Sequence, residues 1–221
     1  MRIGIISDVH GNLPALEAVL TDMSDVEKIV CAGDVVGYNP WPAECVNRIR
    51  EVASVTVKGN HDRIVHTPER YSHNDMAQRG LEHAKDQLSD EQLAWLDTLP
   101  RKTTIGDDQF LLVHDHPEHQ DEYVWPAEFP ELRPYLDDYE GAIIGHTHIQ
   151  HEATIDNRLI FNPGSVGQPR DKDPRAAYAV LDTDEPTVSL HRVEYDIDSV
   201  ISRVEAAGLP PRIGARLLDG E

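Results

Sequence analysis

Apolar and polar positions alternate along the chain in two different rhythms. Arg2 to Ser7 is a short, almost continuous apolar run closed by polar residues, which predicts a buried strand. Leu13, Leu16, Leu20 and Met23 follow at helical spacing, with Asn12 placed to cap and Pro14 in the first turn. Lys28 to Ala32 predicts a second strand. Trp41 to Val52 predicts a second helix, with Cys45, Val46 and Ile49 on one face, and Ala53 to Lys58 a third strand. Strand–helix–strand–helix–strand order predicts a parallel sheet.

Thr67 to Ser89 is polar and partly helical in pattern. Ser89 to Gln92 has the form of a capping box, followed by Leu93, Leu96 and Leu99 before Pro100 ends the helix. The second half is rich in strands. Lys102 to Ile105 and Gln109 to His114 flank a Gly106-Asp107-Asp108 turn, and Gly141 to Ile144 is another buried run. Gln150 to Ile155 and Leu159 to Phe161 flank Asp156-Asn157. Ala176 to Asp182 and Thr187 to Tyr195 flank a further turn, and a last helix spans about Ile197 to Ala207. The pattern predicts an α/β sandwich with a parallel half and a more antiparallel half. Its 221 residues suit a single domain over 1–221, with no internal repeat or linker.

Charge narrows the function. Forty acidic residues against 20 basic ones give −20, which disfavours long polyanions such as nucleic acid as partners. Only five of the basic residues are lysine (28, 58, 85, 102 and 172), a composition suited to high salt or simply to an acidic cytosolic protein. No apolar run reaches the ~18–20 residues needed to span a bilayer, and the N-terminal run stops at Asp8, short of a signal peptide. Two cysteines, Cys31 and Cys45, exclude a disulfide framework and read as core residues of a cytoplasmic protein.

The chemistry-bearing residues gather just after predicted strands. Asp8-Val9-His10, Gly33-Asp34, Gly59-Asn60-His61-Asp62, His114 and Gly145-His146-Thr147-His148 each follow one. In open α/β sheets the carboxyl ends of strands form the ligand-binding edge. Imidazole, carboxylate and amide oxygen suit Mn, Fe, Ni or Zn, and seven candidate ligands suffice for two ions if one carboxylate bridges. Taken singly, Asp8 and Asp34 also suit helix caps, Asn60 a turn, and His146 and His148 an exposed edge. As an alternating pair on extended chain, the two histidines point to one side. The glycines at 33, 37, 59 and 145 fit tight turns and close backbone approach.

The ordered motifs D-x-H, G-D-x-x-G, G-N-H-D, H and G-H-T-H resemble the calcineurin-like metallophosphoesterases, closest to the small prokaryotic branch of YfcE-type phosphodiesterases. Asn162 to Arg170 resembles the segment that follows the last ligands there, so the likeness covers nearly the whole chain. It implies a two-sheet β-sandwich flanked by helices and two divalent metal ions, Mn first, with Ni, Fe or Zn as alternatives. Asp8, His10, Asp34 and His148 would hold one ion. Asp34, Asn60, His114 and His146 would hold the other, with Asp34 bridging and a metal-bridging hydroxide as nucleophile. His61 matches the non-ligand histidine that binds the phosphoryl oxygen and protonates the leaving alkoxide. Asp62 is expected to orient its ring.

The implied activity is hydrolysis of small phosphodiesters or phosphomonoesters. A non-catalytic scaffold of the same fold and a nuclease remain as alternatives, and a homo-oligomer stays open. Arg170 is a candidate substrate contact, although its loop is equally readable as structural. Tyr38, Asn39, Trp41 and Tyr123 to Trp125 are candidates to line a cleft. The family pattern has glycine after its isolated histidine. Here Asp115 and His116 stand near the expected metal, and His116 could compete with His114.

Overall fold

A computed structural model describes residues 1–23 and 25–221. Two mixed five-stranded sheets face each other. The first contains β1 (Arg2–Ile6), β2 (Lys28–Cys31), β3 (Ala53–Thr56), β9 (Ala176–Asp182) and β10 (Thr187–Val193), in the order β10-β9-β1-β2-β3. The second contains β4 (Lys102–Ile105), β5 (Phe110–Val113), β6 (Gly141–Ile143), β7 (His151–Ile155) and β8 (Arg158–Asn162), in the order β4-β5-β6-β8-β7.

The expected division into parallel and antiparallel halves is corrected by this pairing. Each sheet has a parallel triplet, β1-β2-β3 or β5-β6-β8, and antiparallel strands beside it. The last two strands return to β1 and complete the first sheet, a long-range pairing that local patterning cannot reveal.

Apolar alternation explains the layering. Ile3 and Ile5 of β1 point into the sandwich, where they meet Val30, Phe110, Leu112, Ile143, Phe161 and Leu181. Ile6 points the other way, into a second cluster with Leu16 and Val19 of α1 (Leu13–Asp22) and Cys45, Val46 and Ile49 of α2 (Pro42–Val52). Central strands buried on both faces read as unbroken apolar runs. Cys31 and Cys45 are buried there, as expected. Asn12 caps α1 through its side chain, and Ser89 and Gln92 close the capping box of α5 (Asp90–Thr98).

The helices expected within Thr67–Ser89 and over about Ile197–Ala207 are present, beside short elements that the sequence pattern does not signal. A short helix α3 (Asn60–Ile64) begins on the third motif, and α4 (Asp75–Gln87) follows a 3-10 turn at Pro68–Tyr71. Pro126–Tyr135 forms consecutive 3-10 turns, because Pro130 and Pro134 remove N–H donors that an α-helix needs. After α6 (Ile197–Ala206) the chain forms α7 (Arg212–Ala215) and a 3-10 turn at Arg216–Leu218, beyond Pro210-Pro211. Among the described residues no helix is long and apolar enough to cross a membrane.

Candidate metal centre and its cleft

The parallel triplets of both sheets end at the same edge, and the motif loops meet there. Asp8, His10, Asp34, Asn60, His61, Asp62, His114, His146 and His148 are all buried. Their backbone is unusual. Asp8, His10, Asp34, Tyr38, His146 and His148 have φ between 47° and 68°, the left-handed region that costs non-glycine residues energy. The expected extended geometry of His146 and His148 is therefore corrected. Both rings reach the site through left-handed turns, pinned by Asn162, whose Nδ2 donates to Gly145 O and Thr147 Oγ1.

Three imidazoles commit Nδ1 to a backbone carbonyl. His10 Nδ1 donates to Val36 O (3.1 Å), His114 Nδ1 to Ala32 O (2.8 Å) and His148 Nδ1 to Gln168 O (2.6 Å). Each Nε2 is thereby directed inward, as in a metal-ligating histidine whose other ring N–H is held by a carbonyl. His148 Nε2 lies 3.1 Å from His10 Nε2 and 3.1 Å from Asp8 Oδ1. Asp34 Oδ2 lies between His10 Nε2 (3.6 Å) and His114 Nε2 (3.4 Å). His114 Nε2 is 3.1 Å from Asn60 Oδ1, and the Asn60 amide is oriented by donating to the Tyr71 hydroxyl.

Among the expected ligand atoms, Asp8 Oδ1 and His146 Nε2 are buried without a hydrogen-bond partner. Three overlapping groups, Asp8/His10/His148, His10/Asp34/His61 and Asp8/Asp34/His114, each bring their ligand atoms within 4.8 Å of one another. This donor set fits borderline divalent cations.

Burial governs the electrostatics. It drives His10 and His148 below the usual imidazole range, and it takes His146 to about 4, with His114 adding to the effect. Burial also opposes charge on His114, but Asp34 and Asp8 outweigh it and lift that ring to about 10. Asp8 and Asp34 sit below the ordinary carboxylate range despite burial, held there chiefly by His148 and His114 for Asp8 and by His114 and His61 for Asp34.

His61 is placed by its backbone N–H, which donates to Asp34 Oδ1 at 2.8 Å. Burial first, then Arg170, push its ring down to about 4 against the pull of Asp34. The expected role of Asp62 in orienting that ring is corrected. Asp62 accepts from the backbone N–H of Asp34 (2.8 Å), Val35 (2.9 Å), Val36 (3.2 Å) and Gly59 (3.0 Å), while His61 Nδ1 has no hydrogen-bond partner. Asp62 therefore ties the Asp34 loop to the loop that carries Asn60 and His61.

Two glycines make this packing possible. A Cβ at Gly59 would stand 2.0 Å from Asp34 Oδ1. At Gly37, whose φ is +100°, it would stand 2.3 Å from His61 Nδ1.

His114, not His116, enters the cluster. His116 Nδ1 accepts from Glu118 N and His119 N, and its ring stacks on His119. Asp115 turns to Arg101 and Asp121 N. The Asn162–Arg170 loop is chiefly a brace: Ser165 Oγ and Gly167 N both donate to Asp8 O.

A cleft of about 250 Å³ opens over the cluster. Asp34, Asn60, His61, His146 and His148 form its floor. Tyr38, Tyr71, Tyr123, Arg170 and Arg216 are among its walls. Of the expected lining residues, Asn39 is instead buried against His10 O and Gly167 O, and Trp41 packs beside α2. Tyr123 stacks on His146 (4.0 Å between centroids) and on Trp125 (5.4 Å). Tyr71 and Arg216 were not legible in the sequence. They lie outside every motif, and only the packing of α4 and the C-terminal turns brings them in.

This fold and this site define a metallophosphoesterase, a hydrolase whose family works with divalent metals. Residues 1–186 match the calcineurin-like phosphoesterase superfamily domain, and the chain belongs to that superfamily. It is 36% identical to an uncharacterised protein of Methanocaldococcus jannaschii over 99% of this chain and 98% of that one. It is 30% identical to the phosphodiesterase YfcE of Escherichia coli, over 83% of this chain and 89% of the relative, which supports the YfcE-type branch. A crystal structure of a metallophosphoesterase from Sphaerobacter thermophilus superimposes with a TM-score of 0.87 at 38% identity, covering 100% of this chain and 99% of the other.

Proposed function

We propose that the protein hydrolyses small phosphate esters, diesters or monoesters, at a pair of divalent cations, manganese first among them. The observation that carries this reading is the inward-facing set of His10, His114 and His148 Nε2 atoms around two buried carboxylates. Asp8, His10, Asp34 and His148 would hold one ion, and Asp34, Asn60, His114 and His146 the other. The Asp34 Oδ2 position between two rings supports a bridging role for that carboxylate. Paired cations supply Lewis-acid stabilisation of the phosphoryl charge and lower the pKa of a water nucleophile.

The chain's own residues do the remaining work. Asn60 keeps its carbonyl oxygen inward because Tyr71 takes its amide N–H. His61 turns Nδ1 towards Gly37, which leaves Nε2 to bind a phosphoryl oxygen and to protonate the leaving alkoxide. Burial keeps the free ring neutral, and a phosphoryl anion beside it raises its proton affinity. We read residues 1–221 as one catalytic unit, because Arg216, beyond the matched family segment, lines the same cleft.

The test is hydrolysis of bis-p-nitrophenyl phosphate and p-nitrophenyl phosphate with Mn, Ni, Fe or Zn. Metal-dependent turnover that is lost with a chelator and in Asp34→Ala is expected. No turnover of either ester with any of the four metals would overturn the reading.

A further inference from the structure

Arg170 and Arg216 occupy one wall of the cleft and form no ion pair with a carboxylate side chain among the described residues; the charge of Glu221 reaches Arg216, but the Glu221 carboxylate itself pairs with Lys172. Elsewhere in this −20 chain, arginines meet acids: Arg48 with Glu17, Arg63 with Asp121, Arg101 with Asp115, and Arg192 with Asp171. Arg170 Nη2 is bonded only to neutral oxygens, Gln168 Oε1 (2.8 Å) and Tyr38 Oη (3.3 Å), and its buried Nε has no partner. Its guanidinium carbon lies 5.8 Å from the Tyr38 ring centroid. Arg216 Nε donates to the main-chain oxygen of Glu221. Burial and then the charge of Arg170 make Arg216 easier to deprotonate than usual. Two guanidinium groups placed this way repel each other, and an anion between them relieves the repulsion.

The positions are built rather than incidental. Arg170 follows the loop that braces Asp8 and His148, and its own N–H donates to His148 O. Arg216 begins the turn whose next residue, Leu217, is buried with Tyr38, Val200, Val204 and Ile213. Arg170 lines the cleft beside His61 and His148 and reaches Tyr38, so it borders the cluster. Arg216 lines the same cleft, on the turn packed against Tyr38.

We propose that Arg170 and Arg216 bind a second phosphate of the substrate, so that the natural substrate is a phosphate ester carrying another phosphate beside the group that is hydrolysed. This rests on the phosphoesterase reading. The cations already balance the charge of one phosphoryl group, and the two guanidinium groups add positive charge that a lone diester leaves unmatched. Guanidinium forks from separate segments also suit the several oxygens of a tetrahedral anion. Arg170 lies within residues 1–186 and Arg216 beyond them, so this subsite joins the matched family segment to the C-terminal turn.

The experiment compares thymidine 5′-(p-nitrophenyl phosphate) with the same ester bearing a 3′-phosphate, in the manganese-loaded protein. The 3′-phosphorylated ester is expected to have a KM roughly tenfold lower, as an added charge-assisted contact gives. Arg216→Gln should bring the KM ratio close to one. Arg216→Lys should keep part of it, and Arg50→Gln, on α2, all of it. Equal KM values in the wild type, or an unchanged ratio in Arg216→Gln, overturns the proposal.

Calorimetric titration with thymidine 3′,5′-bisphosphate, thymidine 5′-monophosphate and inorganic phosphate reads the subsite without turnover. Tighter binding of the bisphosphate that depends on Arg216 supports the subsite even if no ester is hydrolysed, and then only the catalytic reading fails. Arg216-dependent binding of inorganic phosphate with no preference for the bisphosphate overturns the substrate claim, making the pair a free-anion site.

Discussion

His10 Nε2 and His148 Nε2 face each other at 3.1 Å, and each ring has committed its Nδ1–H to a backbone carbonyl. Two unprotonated nitrogens at that separation repel unless a cation lies close by. A thermal melt with and without Mn(II) tests this. A metal that binds only the folded state stabilises it by about 2.7 kcal/mol at a hundred times its dissociation constant. The melting temperature should rise with metal in the wild type and much less in His10→Ala or His148→Ala.

His114 couples metal binding to proton release. Its folded-state pKa, about 10, lies above the ordinary imidazole value, so the ring is charged at neutral pH without metal. The stability this ionisation contributes is complete below the unfolded value and is lost as pH rises through about 10. A ligating imidazole must be neutral. Adding Mn(II) in weak buffer at pH 7 to 8 should therefore release about one proton from His114, and the release should vanish in His114→Ala. No acidification would place the His114 proton elsewhere.

Gly59 and Gly37 test the packing around the reactive groups. The Cβ of Gly59→Ala would collide with Asp34 Oδ1, and that of Gly37→Ala with the His61 ring. Both variants should lose roughly a hundredfold or more in kcat, the scale that follows small displacements of positioned groups. Gly59→Ala should also weaken metal binding, because it moves Asp34. Gly37→Ala should leave metal binding closer to normal.

Asp62 should behave as a strut. Asp62→Ala leaves four backbone N–H groups without their acceptor, and leaving buried groups unsatisfied costs about 1–3 kcal/mol. Denaturant unfolding should show that loss. If the variant kept full stability but lost activity, the catalytic role expected from sequence would return.

His61→Ala should separate binding from turnover. A drop of about 10²- to 10⁴-fold in kcat is the usual scale for removing a general acid. Manganese affinity should change little, because the ring supplies no ligand in the proposed set. Wild-type rates in this variant would remove His61 from the mechanism.

The sequence by itself determined the strand-and-helix order of the first half and the residue types of the metal cluster. Those signals are local: an apolar run, a cap such as Asn12, a D-x-H or H-x-H at a strand end. Only the tertiary structure decided that β9 and β10 return to β1, because strand pairing is set by burial across the whole sandwich. It also decided that Asp62 holds backbone and not an imidazole, and that His146 and His148 arrive through left-handed turns. Tyr71 and Arg216 reach the cleft from segments with no motif, since their positions depend on how distant helices pack. Ligand chemistry is written in residue types, but which side chains share a cavity is fixed by contacts far apart in the chain.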